Sequence, residues 1–336
     1  MKAFRQCTTL ALAGITLALL PGCTSTGSKS STGATRTFTA LKLGTLRGLA
    51  IDAADNLYVP NPKSPTALHK ITPSGVATVL PTEPIRDLFA VAIAPDGTIY
   101  ACESIYALAH RLGANGATPL APATMTNVFL GPTALACDAA GNLYVAENDC
   151  NLIRKVTPAG QISIYAGAFR ETGSKDGPAA EARFTTPRAL TIDHAGNLYV
   201  GDEKDFIIRK ISKTGIVTTL AGKVGANGSQ NGKGADARFA APRGLATDQA
   251  GNLYIADTPN HTIRKMTPTG VVTTIAGRAG ASGFADGSAA AARFNNPRAL
   301  AVDSAGNIYV GDSDNHAVRR ISLDGTVSTV AGVLPN

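Results

Sequence analysis

Asn197-Leu198-Tyr199-Val200, Asn252-Leu253-Tyr254-Ile255 and Asn307-Ile308-Tyr309-Val310 lie 55 residues apart, and Asn142-Leu143-Tyr144-Val145 sits another 55 upstream. Weaker copies stand at Asn56-Leu57-Tyr58-Val59 and Thr98-Ile99-Tyr100-Ala101. A fixed pitch on this scale means one supersecondary unit repeated around or along an axis. Six of the eight tyrosines belong to these copies, so most of the conspicuous residues recur because the unit needs them.

The copy from Pro187 to Gly222 shows what the unit is. Ala189 to Asp193 alternates as a first strand a, and His194-Ala195-Gly196-Asn197 makes a turn with residues that tolerate positive φ. Leu198–Gly201, Ile207–Ile211 and Ile216–Ala221 read as strands b, c and d. Four short antiparallel strands in each of six units predict an all-β, six-bladed β-propeller. The units start at Leu46, Leu88, Pro132, Pro187, Pro242 and Pro297, with first steps of 42 and 44 residues and last steps of 55. The added length lies between strand d and the next strand a, at Ala168–Thr186, Lys223–Ala241 and Arg278–Asn296. Each insertion runs from Asp-Gly or Asn-Gly to Ala-Arg-Phe, ending on Phe184, Phe239 or Phe294. An Asp or Asn cap before an alanine-rich stretch predicts one or two helical turns there.

The run Pro242-Arg243-Gly244-Leu245-Ala246, Asp248, Gly251 to Asp257, Asn260-His261 and Ile263-Arg264-Lys265 resembles the NHL repeat, and the sixth copy repeats it through Asn315-His316. Copies three and four lack the Asn-His pair, and copies one and two are degenerate. The resemblance covers Arg47 to Gly332 and implies the propeller fold. It leaves activity open, because related propellers include binding scaffolds, lactonases and peptide-amidating lyases.

The amino-terminal end has a different character. Lys2 and Arg5 precede an uncharged, largely apolar run from Thr8 to Leu20. That run is shorter than the ~20 residues of a membrane span but fits a signal peptide. It closes in Leu20-Pro21-Gly22-Cys23, which resembles a bacterial lipobox with proline in a less usual place. The expected organisation is a signal over residues 1–22, a lipidated Cys23 with a Ser/Thr/Gly tether over 23–36, and the propeller over 37–336. By resemblance to lipoproteins, Thr24 after the cysteine implies anchoring at the outer membrane, on its periplasmic or surface face. Thr37 to Leu43 alternates like a further strand d, placed at the seam of the ring.

Without Lys2 and Arg5 the net charge falls from +7 to +5, too diffuse for nucleic-acid binding, which export also opposes. Tryptophan is absent and aromatics are 5%, which disfavours a reader built on stacking. Of Cys102, Cys137 and Cys150, the topology puts Cys102 and Cys150 at the same end of neighbouring units. They are the expected disulfide if one forms, and three packed free thiols are the alternative.

Strand direction gathers the b–c loops, the insertions and the starts of strand a on one face. Arg47, Arg188, Arg243 and Arg298 precede strand a at the channel mouth, with Phe89 and Thr133 in the other two slots. Glu103, Glu147, Asp202, Asp257 and Asp312 close strand b, with Asn61 in the remaining slot. Such a ring offers guanidinium forks to a carboxylate or phosphate, or it pairs with itself. Arg183, Arg238 and Arg293 on the insertions are the further candidate contacts. Asp52, Asp138, Asp193, Asp248 and Asp303 stand just ahead of turns and are expected to close them. The five histidines have no metal-ligand spacing, and no P-loop, dinucleotide fingerprint or nucleophile elbow occurs. The expectation is a lipid-anchored monomeric scaffold, without cofactor, recognising an envelope protein, peptide or anionic polymer. The alternative is a metal-dependent lactonase or lyase in the same funnel, with calcium held by acids such as Glu103, Glu147 and Asp202.

Overall fold

The computed structural model describes residues 41–62, 66–103, 107–121 and 129–332. The expected signal, Cys23, the tether and Thr37–Ala40 lie outside the described residues. Six antiparallel sheets follow one another in the chain, each built of consecutive residues. Blade 1 comprises Ala50–Ile51, Leu57–Asn61, Ala67–Ile71 and Ala77–Leu80. Blade 2 comprises Leu88–Ile93, Ile99–Glu103, Leu108–Gly113 and Gly116–Pro119. Blade 3 comprises Pro132–Cys137, Leu143–Glu147, Leu152–Val156 and Ile162–Gly167. Blade 4 comprises Pro187–Ile192, Leu198–Asp202, Ile207–Ile211 and Ile216–Gly222. Blade 5 comprises Pro242–Thr247, Leu253–Asp257, Thr262–Met266 and Val271–Gly277. Blade 6 comprises Pro297–Val302, Ile308–Asp312, Ala317–Ile321 and Thr326–Gly332. The first strand of each blade lies beside those of its neighbours, and blade 6 packs back on blade 1, so the six-bladed propeller stands.

The recurring Asp-x-x-x-Asn-x-Tyr pattern closes every hairpin that carries it. Asp193 accepts hydrogen bonds from the Asn197 amide (2.8 Å), the Asn197 side chain (2.8 Å) and the Tyr199 hydroxyl (3.0 Å). Asp52, Asp138, Asp248 and Asp303 do the same for their own Asn and Tyr. Burial opposes the charge on Asp193, yet bonds from Asn197 and Tyr199 outweigh it and hold the carboxyl below its ordinary value. The left-handed position of the turn falls to Gly196 (φ 82°) and to Asp55 (φ 59°) in blade 1. The asparagine of each turn is thereby left to serve the aspartate.

The insertions depart from expectation. Among the described residues there is no α-helix, and the alanine-rich stretches are turns, with one 3-10 turn at Gly234–Asp236. Asp176, Asn231 and Asp286 do not cap helices. Asp176 instead accepts from the Thr219 amide (2.9 Å) and hydroxyl (3.1 Å) on the outer strand of blade 4. Gly177–Pro178, Gly232–Lys233 and Gly287–Ser288 add a fifth, two-residue strand to the outer edges of blades 4, 5 and 6. Gly177 pairs with Val217, at the end of the outer strand remote from the arginine mouth. The insertions thus wrap the rim of the next blade as well as crossing the arginine face. The unmet need is the open hydrogen-bonding edge of the outer strand, and covering it wins over the weak helix propensity of a four-residue alanine run.

The ring shuts by packing. Leu43, Leu46 and Leu49 are buried with Ala299, Val318 and Ala331 of blade 6. The Ser313 hydroxyl donates to the Leu46 carbonyl. Asn61 receives the Gly44 amide (2.9 Å) and donates to the Lys42 carbonyl (3.1 Å), so Leu41–Leu43 lies at the seam without strand structure.

The bridge between Cys102 and Cys150 is not formed, and Cys102, Cys137 and Cys150 are free thiols. Cys102 points from its strand into the packed boundary with blade 3, 3.6 Å from the Pro132 carbonyl. Cys150 lies in the b–c turn of blade 3, buried beside Glu147. Burial pushes the Cys102 and Cys137 thiols up to about 12.

Candidate functional site

The acids that close strand b look inward and not into the channel. Arg86 N donates to Glu103, Leu130 N to Glu147, Ala240 N to Asp257 and Asn295 N to Asp312. Asp202 receives the Thr186 amide at 2.7 Å. Asn61 in blade 1 takes the same part with Gly44. All five acids are buried, and each fastens the backbone that leads into strand a. Burial raises Asp202 and Asp312 to about 6, against the hydrogen bonds and the facing arginines. Burial likewise raises Glu147 to about 7, with Arg154 pulling the other way.

Blades 4 to 6 contain a second internal station that the sequence reading did not single out. Arg209, Arg264 and Arg319 of the third strands are wholly buried. Arg264 donates to Asp257 (3.1 Å), to the carbonyls of Arg238 and Gln230 (both 3.0 Å), and to Asn231 Oδ1 (2.9 Å). Its guanidinium carbon stands 5.4 Å from the Phe239 ring centroid. Arg209 on Phe184 and Arg319 on Phe294 repeat the arrangement. A buried five-donor fork thus ties the insertion's Asp/Asn, its aromatic and its backbone to the blade. The signal was available: these arginines occur with the Asp/Asn-Gly…Ala-Arg-Phe insertions. Blades 1 and 2 carry His69 and His110 instead, with His110 Nε2 2.7 Å from Glu103.

Arg183, Arg238 and Arg293 turn back on their own loops. Arg183 donates to the Ala180 and Ala182 carbonyls and pairs with Glu171 at 2.7 Å. Arg238 and Arg293 likewise bond the carbonyls of their alanine turns. None of the three shares a contact with the channel arginines among those described here.

What the structure does bring together is the other set. Arg47 precedes the first strand of blade 1, Arg188, Arg243 and Arg298 are the second residues of the first strands of blades 4, 5 and 6, and all four are only partly buried. Burial lowers Arg298, and Arg243, Arg47 and Arg188 lower it further while Asp314 opposes them. Arg188 is lowered by burial too, against Glu203 and with Arg243 and Arg47. The four cations therefore feel one another across the mouth. Among the described residues, two carboxylates pair with them within 4.0 Å. Glu203 pairs with Arg243 at 2.6 Å and with Arg188 at 3.2 Å, while Asp314 reaches Arg298 at 4.0 Å. Arg47 stands 4.9 Å from the Phe89 ring centroid, and its buried Nε, like that of Arg298, has no hydrogen-bond partner.

Glu203 was missed because it is not a repeated residue. It stands where Asn148, Thr258 and Ser313 stand in blades 3, 5 and 6. Thr258 and Ser313 use that slot to bond the next blade's backbone, at Pro297 and Leu46. Glu203 instead reaches the next blade's arginine. A break in repetition marks the residue that the symmetric unit does not explain.

Below the arginines, Leu49, Val91, Leu135, Leu190, Leu245 and Leu300 supply one buried apolar side chain per blade. They line a cavity of about 50 Å³ with Arg47, Arg243 and Arg298 at its top. On the opposite face a wider hollow of about 930 Å³ opens over Ile51, Ile93, Cys137 and Ile192, rimmed by Asp52, Asp96, Asp138 and Asp193. The two share no lining residue. Among the described residues no three His, Cys, Asp or Glu side chains gather as metal ligands.

Comparison with known proteins agrees with the repeat pattern. NHL repeat-containing protein 2 of Bos taurus is 32% identical over 173 residues, 48% of this chain and 24% of the relative, so the chain spans about a quarter of that protein. An auxiliary nutrient binding protein from Bacteroides thetaiotaomicron superposes with a TM-score of 0.66 at 18% identity, over 86% of this chain and 70% of that one. Virginiamycin B lyase from Staphylococcus aureus superposes at 0.59 and 15% identity, over 88% of each chain. At these identities the two structures share the fold. Residues 239–266 and 294–321 match the NHL repeat family, so blades 5 and 6 of this six-bladed propeller carry NHL repeats.

Proposed function

We propose that the protein is an exported, lipid-anchored binding propeller whose arginine mouth recognises an acidic group on an envelope protein, peptide or anionic polymer. The observation that carries this reading is the imbalance at the mouth: among the described residues, Arg47, Arg188, Arg243 and Arg298 have two carboxylate partners within 4.0 Å, Glu203 and Asp314. Partly buried cations in excess are costly to fold and favour an anion that completes them. Their place on a rigid ring supports a binding role, since such frames lose little entropy on association. The nutrient-binding name of a structural neighbour is compatible with it. Anchoring rests on Leu20-Pro21-Gly22-Cys23. The enzymatic alternative has behind it a fold shared with a lyase, at an identity that carries no chemistry.

The test is in-cell crosslinking of the full chain, followed by recovery from envelopes and mass spectrometry, beside R188A/R243A/R298A and C23A. The expected result is a partner lost in the triple variant and loss of membrane association in C23A. A folded triple variant that keeps its partner would refute the arginine site, and a C23A protein still extracted with membranes would refute the anchor.

A further inference from the structure

We infer that the arginine mouth takes a terminal phosphomonoester in its dianionic form, an inference that rests on the binding role just proposed. Three properties of the cavity select this chemistry. Its shape comes first. The apolar ring from Leu49 to Leu300 lies below Arg47, Arg243 and Arg298, so a ligand approaching from the arginine side meets the guanidinium groups first and an apolar layer beneath them. A terminal phosphate offers three free oxygens to arginines on three sides, whereas a phosphodiester within a polymer offers two and carries chain on both sides of phosphorus.

Size comes second. A cavity of about 50 Å³ holds roughly four water-sized groups at ~10–15 Å³ each, the number of oxygens on a phosphate. A space of this size admits a head group and leaves the remainder of the ligand in the mouth. Charge comes third. Among the described residues, four guanidinium groups have Glu203 and Asp314 as partners within 4.0 Å, which leaves two positive charges without a pairing carboxylate. A monoester phosphate above its second ionisation, near pH ~6, carries the two negative charges that match.

The arginines are not equivalent. Arg188 and Arg243 are held by Glu203, whereas Arg47 lines the cavity with no carboxylate partner among the described residues and Arg298 lines it with Asp314 as distant as 4.0 Å. Arg47 and Arg298 are therefore the direct ligands, Arg243 closes the third side, and Glu203 limits affinity by competing with the phosphate for Arg243 and Arg188.

The experiment is titration calorimetry of the purified full chain at low ionic strength, at pH 5 and 7.5. The probes are phenyl phosphate, inorganic phosphate, sulfate, dimethyl phosphate and acetate. Relative to sulfate, phenyl phosphate is expected to bind about tenfold more weakly at pH 5 than at pH 7.5, following its dianion, sulfate serving as the control for ring acids such as Asp202 and Asp312 that gain protons over the same range. R47Q and R298Q each lower affinity by about tenfold or more, E203Q raises it, and R183Q leaves it unchanged. Thermal melting of each variant confirms the fold. Dimethyl phosphate or acetate binding as tightly as phenyl phosphate would overturn the terminal dianion and leave an anion-binding mouth intact. Inorganic phosphate bound with phenyl phosphate refused would overturn the terminal-ester reading in favour of the free ion. If none of the anions binds, this inference and the arginine site both fail.

Discussion

Replacing Arg264 by methionine probes the strongest claim about how the blades are held. Arg264 is fully buried, and R264M removes its bonds to Asp257, Asn231 and the carbonyls of Gln230 and Arg238, together with its stacking on Phe239. Breaking a buried ion pair by deleting one partner costs about 3–5 kcal/mol, and each carbonyl left unpaired adds up to ~1–3 kcal/mol when water cannot reach it. These costs overlap, because methionine returns some packing and the insertion relaxes, so the expected loss is about 4 kcal/mol. Asp257 keeps its bonds to Ala240, Ala241 and Asn260, which confines the damage to the Lys223–Ala241 insertion. Burial already raises Asp257, and losing Arg264 raises it further. A carboxyl whose folded value lies above its unfolded value contributes stability at low pH that is lost as pH climbs through the folded value. The penalty of R264M is therefore smaller at pH 5 than at pH 8. The assay is urea unfolding by circular dichroism of wild type, R264M, D257N and the double variant. Because D257N removes the charge that R264M strands, the double variant should fall short of the summed losses by ~2 kcal/mol or more. Additive losses, or an R264M penalty below ~1 kcal/mol at pH 8, would refute the buried hub.

Other consequences are as open to measurement. A Cβ at Gly244 would lie 2.5 Å from the Arg298 carbonyl, so G244A should part blades 5 and 6 at a cost of ~1–3 kcal/mol in chemical denaturation. Glu147 is raised to about 7 by burial against Arg154, so stability should fall between pH 5 and 8, and E147Q should flatten that slope in pH-dependent melting. Cys102 and Cys137, pushed up to about 12 by burial, should resist alkylation in the native protein at pH 8 and react on unfolding, as followed by intact mass.

The repeat was legible because its strands alternate, and the Asp193–Asn197–Tyr199 clasp could be foreseen because it recurs in the same spacing. What resisted reading was anything that depends on which element lies next to which in space. The alanine-rich stretches satisfy a helix rule locally, yet a neighbouring strand edge outbids that local preference. Cys102 and Cys150 share a face by topology, but Cys102 lies on a strand and packs against blade 3 whereas Cys150 lies in a turn beside Glu147. Strand direction implies a common mouth for the channel arginines, and Arg47, Arg243 and Arg298 line one cavity. Their distribution of partners was not legible, since Glu203 differs from its counterparts and repetition says nothing about a residue that occurs once.

Each blade, edge strand included, is made of consecutive residues. During synthesis a blade can be completed and stacked on its predecessor before the next is made, so the contacts form within a blade or between consecutive blades. One boundary is different. Leu43 and Leu46 are among the first described residues, and their companions Val318, Ala331 and Ser313 are among the last. The cylinder consequently remains an open arc, its two end faces apolar, until the sixth blade arrives, and the closing of that arc is the moment at which all four arginines first stand around one mouth.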